Sequence, residues 1–161
     1  MDRLWSPWRS EYIASAGDAD KSVCVFCALK NDAAHDRDNF VVHRARYNFV
    51  ALNRYPYTSG HLLIIPYEHI AELDQTPKNV TDEMMDLTKM SQKALRDVYQ
   101  PDAFNVGMNL GGAAGAGIAD HLHIHILPRW FGDTNFMTAV GETRVLPEDL
   151  STTYQKLQGR F

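Results

Sequence analysis

Much that would assign this 161-residue chain to a special class is missing. It has two cysteines, Cys24 and Cys27, where a secreted disulfide scaffold would carry more, spread along the chain. The thiols are expected to be reduced and the protein cytoplasmic. The opening Met1-Asp2-Arg3-Leu4-Trp5-Ser6 lacks the apolar h-region of a signal peptide. No apolar run approaches about 18 residues, so no membrane-spanning helix is expected. A basic excess is also absent. Sixteen Lys and Arg stand against twenty Asp and Glu, a net charge of −4, which argues against a general nucleic-acid binder. There is no internal repeat or low-complexity linker. Apolar residues at 45% and charged residues at 22% exclude disorder throughout. A chain of this length forms one domain and buries roughly 68–70% of its unfolded surface.

What is present in an unusual pattern is histidine, seven in all, three of them within five residues. The surrounding sequence reads as strands and one long helix. Residues 39–43 and 47–53 are β-rich runs separated by a short polar stretch, which predicts a hairpin. Tyr55-Pro56-Tyr57-Thr58-Ser59-Gly60 breaks the chain, and His61 to Pro66 is a short buried strand. Thr81 is placed to N-cap a helix, with Asp82 and Glu83 in its first turn. Met84, Leu87, Ser91, Leu95 and Val98 follow at helical spacing, and Gln100-Pro101 ends it. Phe104 to Leu110 and His121 to Leu127 read as strands, the second ended by Pro128, and Pro147 to Leu157 as a short helix. The expected class is α+β, an antiparallel sheet with one long helix. Residues 1–22 read as an N-terminal arm, 23–130 as the domain body, and 131–161 as a C-terminal extension packed on it.

His121-Leu122-His123-Ile124-His125-Ile126-Leu127 alternates strictly. In a strand, residues two apart share a face. Leu122, Ile124 and Ile126 would face the core, and the three imidazoles would line the other side, about 7 Å apart along the strand. Three imidazolium ions at that spacing repel, so at least one is expected to be neutral, metal-bound or paired with an anion. A neutral imidazole beside an anion site is a competent nucleophile or base. The preceding loop, residues 109–117, contains Gly111, Gly112, Gly115 and Gly117 and almost no side chains that block access. Its backbone N–H groups can approach phosphate oxygens closely. It is not a Walker A loop, because no Gly-Lys-Ser/Thr follows.

Cys24-Val25-Phe26-Cys27 is a C-x2-C knuckle. It supplies two thiolates for tetrahedral zinc and leaves two ligands to find. A redox dithiol and two buried thiols are the rival readings. His43 competes as a zinc ligand on sequence alone, while His35, among Asp32, Asp36 and Asp38, reads as a solvated loop residue.

HLHIHIL resembles the HxHxHxx signature of the histidine triad superfamily of nucleotide hydrolases and transferases. Phe49 to Pro56, then Gly60-His61-Leu62-Leu63-Ile64-Ile65-Pro66 and His69-Ile70, extend the likeness to the region where a sugar-contacting Asn or Asp precedes GHxLxxPxxH. The resemblance covers roughly Val23 to Trp130. It implies an antiparallel sheet with a long helix, paired as a two-fold homodimer, and a nucleotide substrate. It further implies attack on an α-phosphorus by His123, with His125 and His61 orienting the phosphate and the nucleophile. A nucleotidyl-histidine intermediate would form and pass to water or another acceptor. Asn53 matches the ribose contact and Asn109 an asparagine near the phosphates. Relatives often carry Gln, Ser or Thr shortly before the triad. Here Gly115-Ala116-Gly117-Ile118-Ala119 has no such side chain, which shifts oxyanion work to backbone N–H groups such as those of Gly115 and Gly117.

Members with this CxxC resemble each other in holding structural zinc with the two cysteines, the histidine after the Ile-Pro turn and the first triad histidine. Those positions are Cys24, Cys27, His69 and His121. No organic cofactor is implied. Leu4 to Arg9 and Pro128 to Asp133 are similar to a bacterial branch that includes diadenosine tetraphosphate phosphorylases, in which phosphate takes the nucleotidyl group. Trp130 could stack on a base; the alternative for Trp5, Trp8 and Trp130 is core or dimer packing. Two other function classes compete. One is a non-catalytic nucleotide- or partner-binding module. The other is a metalloenzyme with its metal on the HxHxH face, for which no Glu or Asp ligand stands out.

Overall fold

The computed structural model describes residues 24–134, Thr138 and residues 146–161. The N-terminal arm, with Trp5 and Trp8, lies outside them. Helix α1 (Val25–Asn31) is followed by strands β1 (Val41–Arg44), β2 (Asn48–Leu52) and β3 (Leu62–Pro66). The long helix α2 (Lys78–Tyr99) then crosses to β4 (Ala103–Gly107), β5 (Ile124–Arg129) and a final helix α3 (Leu150–Leu157). The five strands form one antiparallel sheet in the order β1-β2-β3-β5-β4. The α+β class and the 39–53 hairpin are as expected. Among the described residues no helix is long and apolar enough to cross a membrane.

The sheet is covered on two sides. β2 and β3 are buried at every residue. Val50, Leu52, Leu62, Ile64, Leu122, Ile124 and Ile126 pack with Val80, Met84, Leu87, Ala94 and Leu95 of α2, and Tyr154 and Leu157 of α3 join them. The α2 contacts recur at helical spacing, the expected stripe. On the opposite side Phe49, Ala51, Leu63 and Ile65 pack with Val41 and Phe26 of α1. This second layer separates the alternating residues of HLHIHIL. Leu122, Ile124 and Ile126 face α2, whereas Phe26 meets the rings of His121 and His123 edge-on at 5.3 and 5.0 Å.

Several boundaries differ from expectation. Helix α2 begins at Lys78 with Pro77 at its cap, three residues before Thr81, whose hydroxyl instead donates back to Lys78 O. Proline suits a helix start because its missing N–H has no partner there in any case. Glu83 is used differently too. Its carboxylate accepts the N–H groups of Arg46 and Tyr47 and the Asn48 amide, pinning the β1–β2 turn to the helix. The helix stops at Gln100 in a left-handed conformation (φ 47°), immediately before Pro101. Strand β4 ends at Gly107, not Leu110. β5 begins at Ile124 and continues through Pro128 to Arg129. The proline is tolerated because β5 pairs with β3 only from Ile124 to Ile126 and is edge-like beyond.

Candidate active site and metal centre

Two features aim the histidines. Gly60 adopts φ +77° just before His61, where a Cβ would meet Leu95 Cδ2 at 2.9 Å and Pro128 Cγ at 3.2 Å. Only glycine fits both the backbone conformation and the close packing. The chain then enters β3 with the His61 ring buried. On the neighbouring strand, His121-Leu122-His123 lies just before β5, held by Leu122 N–H donating to Ile70 O at 2.7 Å.

The protonation pattern of the triad follows from fixed partners. The carbonyl of His121 can only accept, so His123 Nδ1, 2.9 Å away, carries the proton. That leaves a lone pair on His123 Nε2. Tyr57 N–H reaches His61 Nδ1 at 3.2 Å, and a backbone N–H can only donate, so this Nδ1 is an acceptor. His61 then carries its proton on Nε2 and donates it to His125 Nδ1 at 2.9 Å. His125 holds its own proton on Nε2, a buried atom without a partner among the described residues. Burial, then the neighbouring His125 and His123, push His61 down to about 3, and burial, then His123, push His125 down to about 4. Burial also lowers His123. All three rings are therefore neutral near pH 7. The site offers a nucleophilic nitrogen and an unpaired N–H donor on adjacent rings whose centroids lie 4.7 Å apart.

His121 belongs to a second cluster. Its Nε2–H donates to Pro66 O at 2.9 Å, which directs the lone pair of Nδ1 at Cys24 Sγ (3.3 Å) and Cys27 Sγ (3.7 Å). His69 Nδ1 lies 3.4 Å from Cys27 Sγ. The four ligand atoms of Cys24, Cys27, His69 and His121 all fall within 4.8 Å of one another. Zinc–sulfur bonds of about 2.3 Å and zinc–nitrogen bonds of about 2.05 Å at a tetrahedral angle put S and N about 3.5 Å apart. The observed spacings fit that edge. Burial, then Cys24, push the Cys27 thiol up, so a bound cation is what would hold it as thiolate. The pair opens α1 as free thiols. Two imidazoles converge on it, a donor set that suits metal better than redox exchange.

The structure thus divides the expected histidines. His61, His123 and His125 form one constellation, and His69 joins His121 and the cysteines. The three imidazoles of HxHxH do not share a metal site, since each points its ring nitrogens at different partners. His43 is no ligand; it stacks on Phe161 at 5.5 Å. His35 is exposed and paired with Asp32. Asn53 lies in the constellation, its amide 3.3 Å from His61 Nδ1. Asn109 is half-buried at the exit from β4, and Gly115 and Gly117 lie in the exposed loop beyond. In this loop Gly111 and Gly115 have positive φ and open space around them. Trp130 donates its indole N–H to Tyr99 O and packs edge-on to Tyr99, an engagement with the end of α2.

Several working residues were not singled out from sequence. Tyr57 stacks on His125 at 6.2 Å and tilts over His61 at 4.9 Å. Its position between Pro56 and His61 was the available signal. Arg44 grips Asp36 with Nε and Nη2 and also donates to Leu29 O, anchoring the C-terminal half of α1, the helix that carries Cys27. Pro66 O acts through the main chain, which sequence does not advertise.

The comparisons agree with this architecture. Residues 34–132 match the HIT domain family. An AP-4-A phosphorylase of Mycobacterium tuberculosis is 37% identical over 161 residues, spanning 98% of this chain and 83% of that protein. An adenosine 5'-monophosphoramidase of Saccharomyces cerevisiae is 28% identical over 124 residues, covering 77% of this chain and 73% of that one. Among solved structures, a zinc-bound histidine triad family protein from Mycobacterium smegmatis superposes with a TM-score of 0.70 at 28% identity, covering 86% of this chain and 93% of its own. The chain belongs to the HIT domain family.

Proposed function

We propose that the chain is a nucleotidyl hydrolase or transferase that cleaves dinucleoside polyphosphates, or related adenylated nucleotides, at the α-phosphate. The observation that carries this reading is His123, locked by His121 O with its proton on Nδ1 and its lone pair free on Nε2, beside the unpaired Nε2–H of His125. His123 Nε2 attacks the α-phosphorus, and the bond from phosphorus to the leaving polyphosphate oxygen breaks. The ring becomes a cationic nucleotidyl-imidazolium whose Nδ1–H still donates to His121 O, which stabilises the charge as it forms. His125 Nε2–H donates to a phosphoryl oxygen, and His61 holds His125 in that tautomer. Backbone N–H groups around Gly115 and Gly117 would supply further donors, and the family resemblance assigns Asn53 to the sugar and Asn109 to the phosphates. Trp130, assigned from sequence as a base-stacking candidate, is held by Tyr99 at the end of α2, which supports its packing alternative.

An acceptor oxygen then attacks the same phosphorus, the P–N bond breaks, and neutral His123 returns. Splitting the displacement lowers each barrier. Inorganic phosphate is favoured over water as acceptor, because likeness to an AP-4-A phosphorylase runs over 98% of this chain. Diadenosine tetraphosphate and phosphate would give ADP and ATP, whereas hydrolysis would give AMP and ATP. Assaying turnover with and without phosphate, for wild type and His123→Ala, tests both points. Loss of turnover in the variant supports the nucleophile, and unaffected turnover contradicts it.

Cys24, Cys27, His69 and His121 would hold one structural zinc, which when bound ties α1 to the segment leading into β5 and keeps His121 neutral. The free thiols suit a reducing, cytoplasmic compartment. A homodimer is inferred from the family; β4, exposed at the sheet edge, is a surface that a second copy would cover. The body at 23–130 and the extension at 131–161 are read as one domain, supported by Tyr154 and Leu157 in the core.

A further inference from the structure

Asn53 matches a ribose contact in the family, but its side chain is already engaged inside this protein. Its Oδ1 accepts Tyr55 N–H at 2.9 Å. Because that partner is a backbone donor, the oxygen must face Tyr55 and the NH2 must face the other way. The other way is His61 Nδ1, 3.3 Å off. Two donors, Asn53 Nδ2 and Tyr57 N–H, therefore converge on one ring nitrogen. Each disfavours a proton there, and the consequence is transmitted through His61 Nε2–H to His125 Nδ1 and so to the unpaired Nε2–H of His125.

We infer that Asn53 is a positioning residue that, together with the main-chain N–H of Tyr57, holds the tautomer of the His61–His125 pair, and through it the N–H that His125 presents to the phosphoryl group, whatever contact it also makes with a sugar. This rests on the proposed phosphoryl chemistry only for its effect on rate; the tautomer itself is a property of the free protein. Asn53→Asp is the informative variant. The carboxylate keeps an acceptor for Tyr55 N–H, so the turn survives, but it presents an acceptor to His61 Nδ1. A proton on that atom would bond the carboxylate at the expense of the Tyr57 N–H contact; in that state Nε2 becomes the acceptor, and His125 must carry its proton on Nδ1. A lone pair now faces the phosphoryl oxygens where a donor stood.

The test has two arms. In 15N-resolved NMR of the free protein, wild-type His61 and His125 are both expected as Nε2–H tautomers. Asn53→Ala, which keeps the Tyr57 N–H, is expected to weaken the preference measurably, and Asn53→Asp, which sets a carboxylate against that donor, to populate the reversed tautomer of both rings. In kinetics on diadenosine tetraphosphate and on its 2',3'-dideoxy analogue, Asn53→Ala should lower kcat roughly 10-fold on both, and Asn53→Asp on the order of 100-fold. A residue that only binds ribose would raise KM, and its penalty would vanish on the dideoxy analogue. A wild-type His125 carrying its proton on Nδ1, tautomers unchanged in both variants, or a penalty that vanishes on the dideoxy analogue each overturns the inference. If wild type turns over neither substrate, the functional reading fails and the NMR arm alone decides the role of Asn53.

Discussion

His123 Nδ1 donates to the main-chain oxygen of His121 at 2.9 Å, while His121 aims its own Nδ1 at Cys24 Sγ, 3.3 Å away. One residue thus belongs to both halves of the site. Its side chain is a candidate zinc ligand, and its carbonyl fixes the tautomer of the candidate nucleophile.

Metal loss should therefore be felt at His123 without removing it. Freshly purified protein under reducing conditions is expected to hold about one zinc per chain, and Cys24→Ala none. A ligand at a hundredfold over its dissociation constant adds about 2.7 kcal/mol. At about 2–4 °C per kcal/mol, the melting temperature should fall by roughly 5–11 °C. Metal analysis and a thermal scan check this. The kcat should fall with it, and an unchanged kcat in the zinc-free variant would separate the two halves.

Much of this site was legible in the sequence because strand alternation is strict. HLHIHIL placed three leucine and isoleucine side chains on one face and the imidazoles on the other, and C-x2-C offered a candidate metal pair. The division of the histidines was implied by the family resemblance, not by their spacing. It depends on Pro66 O, Tyr57 N–H and His121 O, main-chain atoms whose partners are set by three-dimensional packing. The start of α2 was misjudged for a similar reason. Glu83 looked like a first-turn dipole residue, yet a tertiary task, tying down residues 46–48, determines its place.

That task predicts a stability effect. Glu83→Ala leaves Arg46 N–H, Tyr47 N–H and the Asn48 amide without their acceptor. The expected cost is about 2–4 kcal/mol, since bonds to a charged acceptor are worth about 1.5–3 kcal/mol each and water repairs some of the loss. Urea unfolding measures it, with the midpoint falling and the slope unchanged.

Gly60→Ala combines a positive φ with a Cβ 2.9 Å from Leu95 Cδ2. Backbone strain and overpacking each cost about 1–3 kcal/mol, so a loss of about 2–4 kcal/mol is expected. Because His61 is the next residue, turnover should fall as well. Chemical unfolding and a kcat measurement check the two effects.

The neutral rings give a pH signature. His61 and His125 are held near 3 and 4 in the folded protein, below the ordinary value of 6.5. Between pH 6.5 and about 4 the unfolded chain binds these protons and the folded chain does not. Stability must therefore fall as pH falls, by about 1.4 kcal/mol per pH unit for each ring. His125→Asn should make the dependence shallower by about one ring's share, measured as denaturant-unfolding free energy at pH 7, 6 and 5. An unchanged slope would show that His125 titrates normally when folded.

The central claim is that His123 carries the nucleotidyl group. It is tested most directly by rapid acid-free quenching of wild type with diadenosine tetraphosphate in the absence of phosphate, followed by peptide mass analysis. One adenylyl group is expected on the peptide containing His123, discharged when phosphate is added with release of ADP, and no adduct on His123→Ala. An adduct on another residue, or turnover by His123→Ala at the wild-type rate, would contradict it.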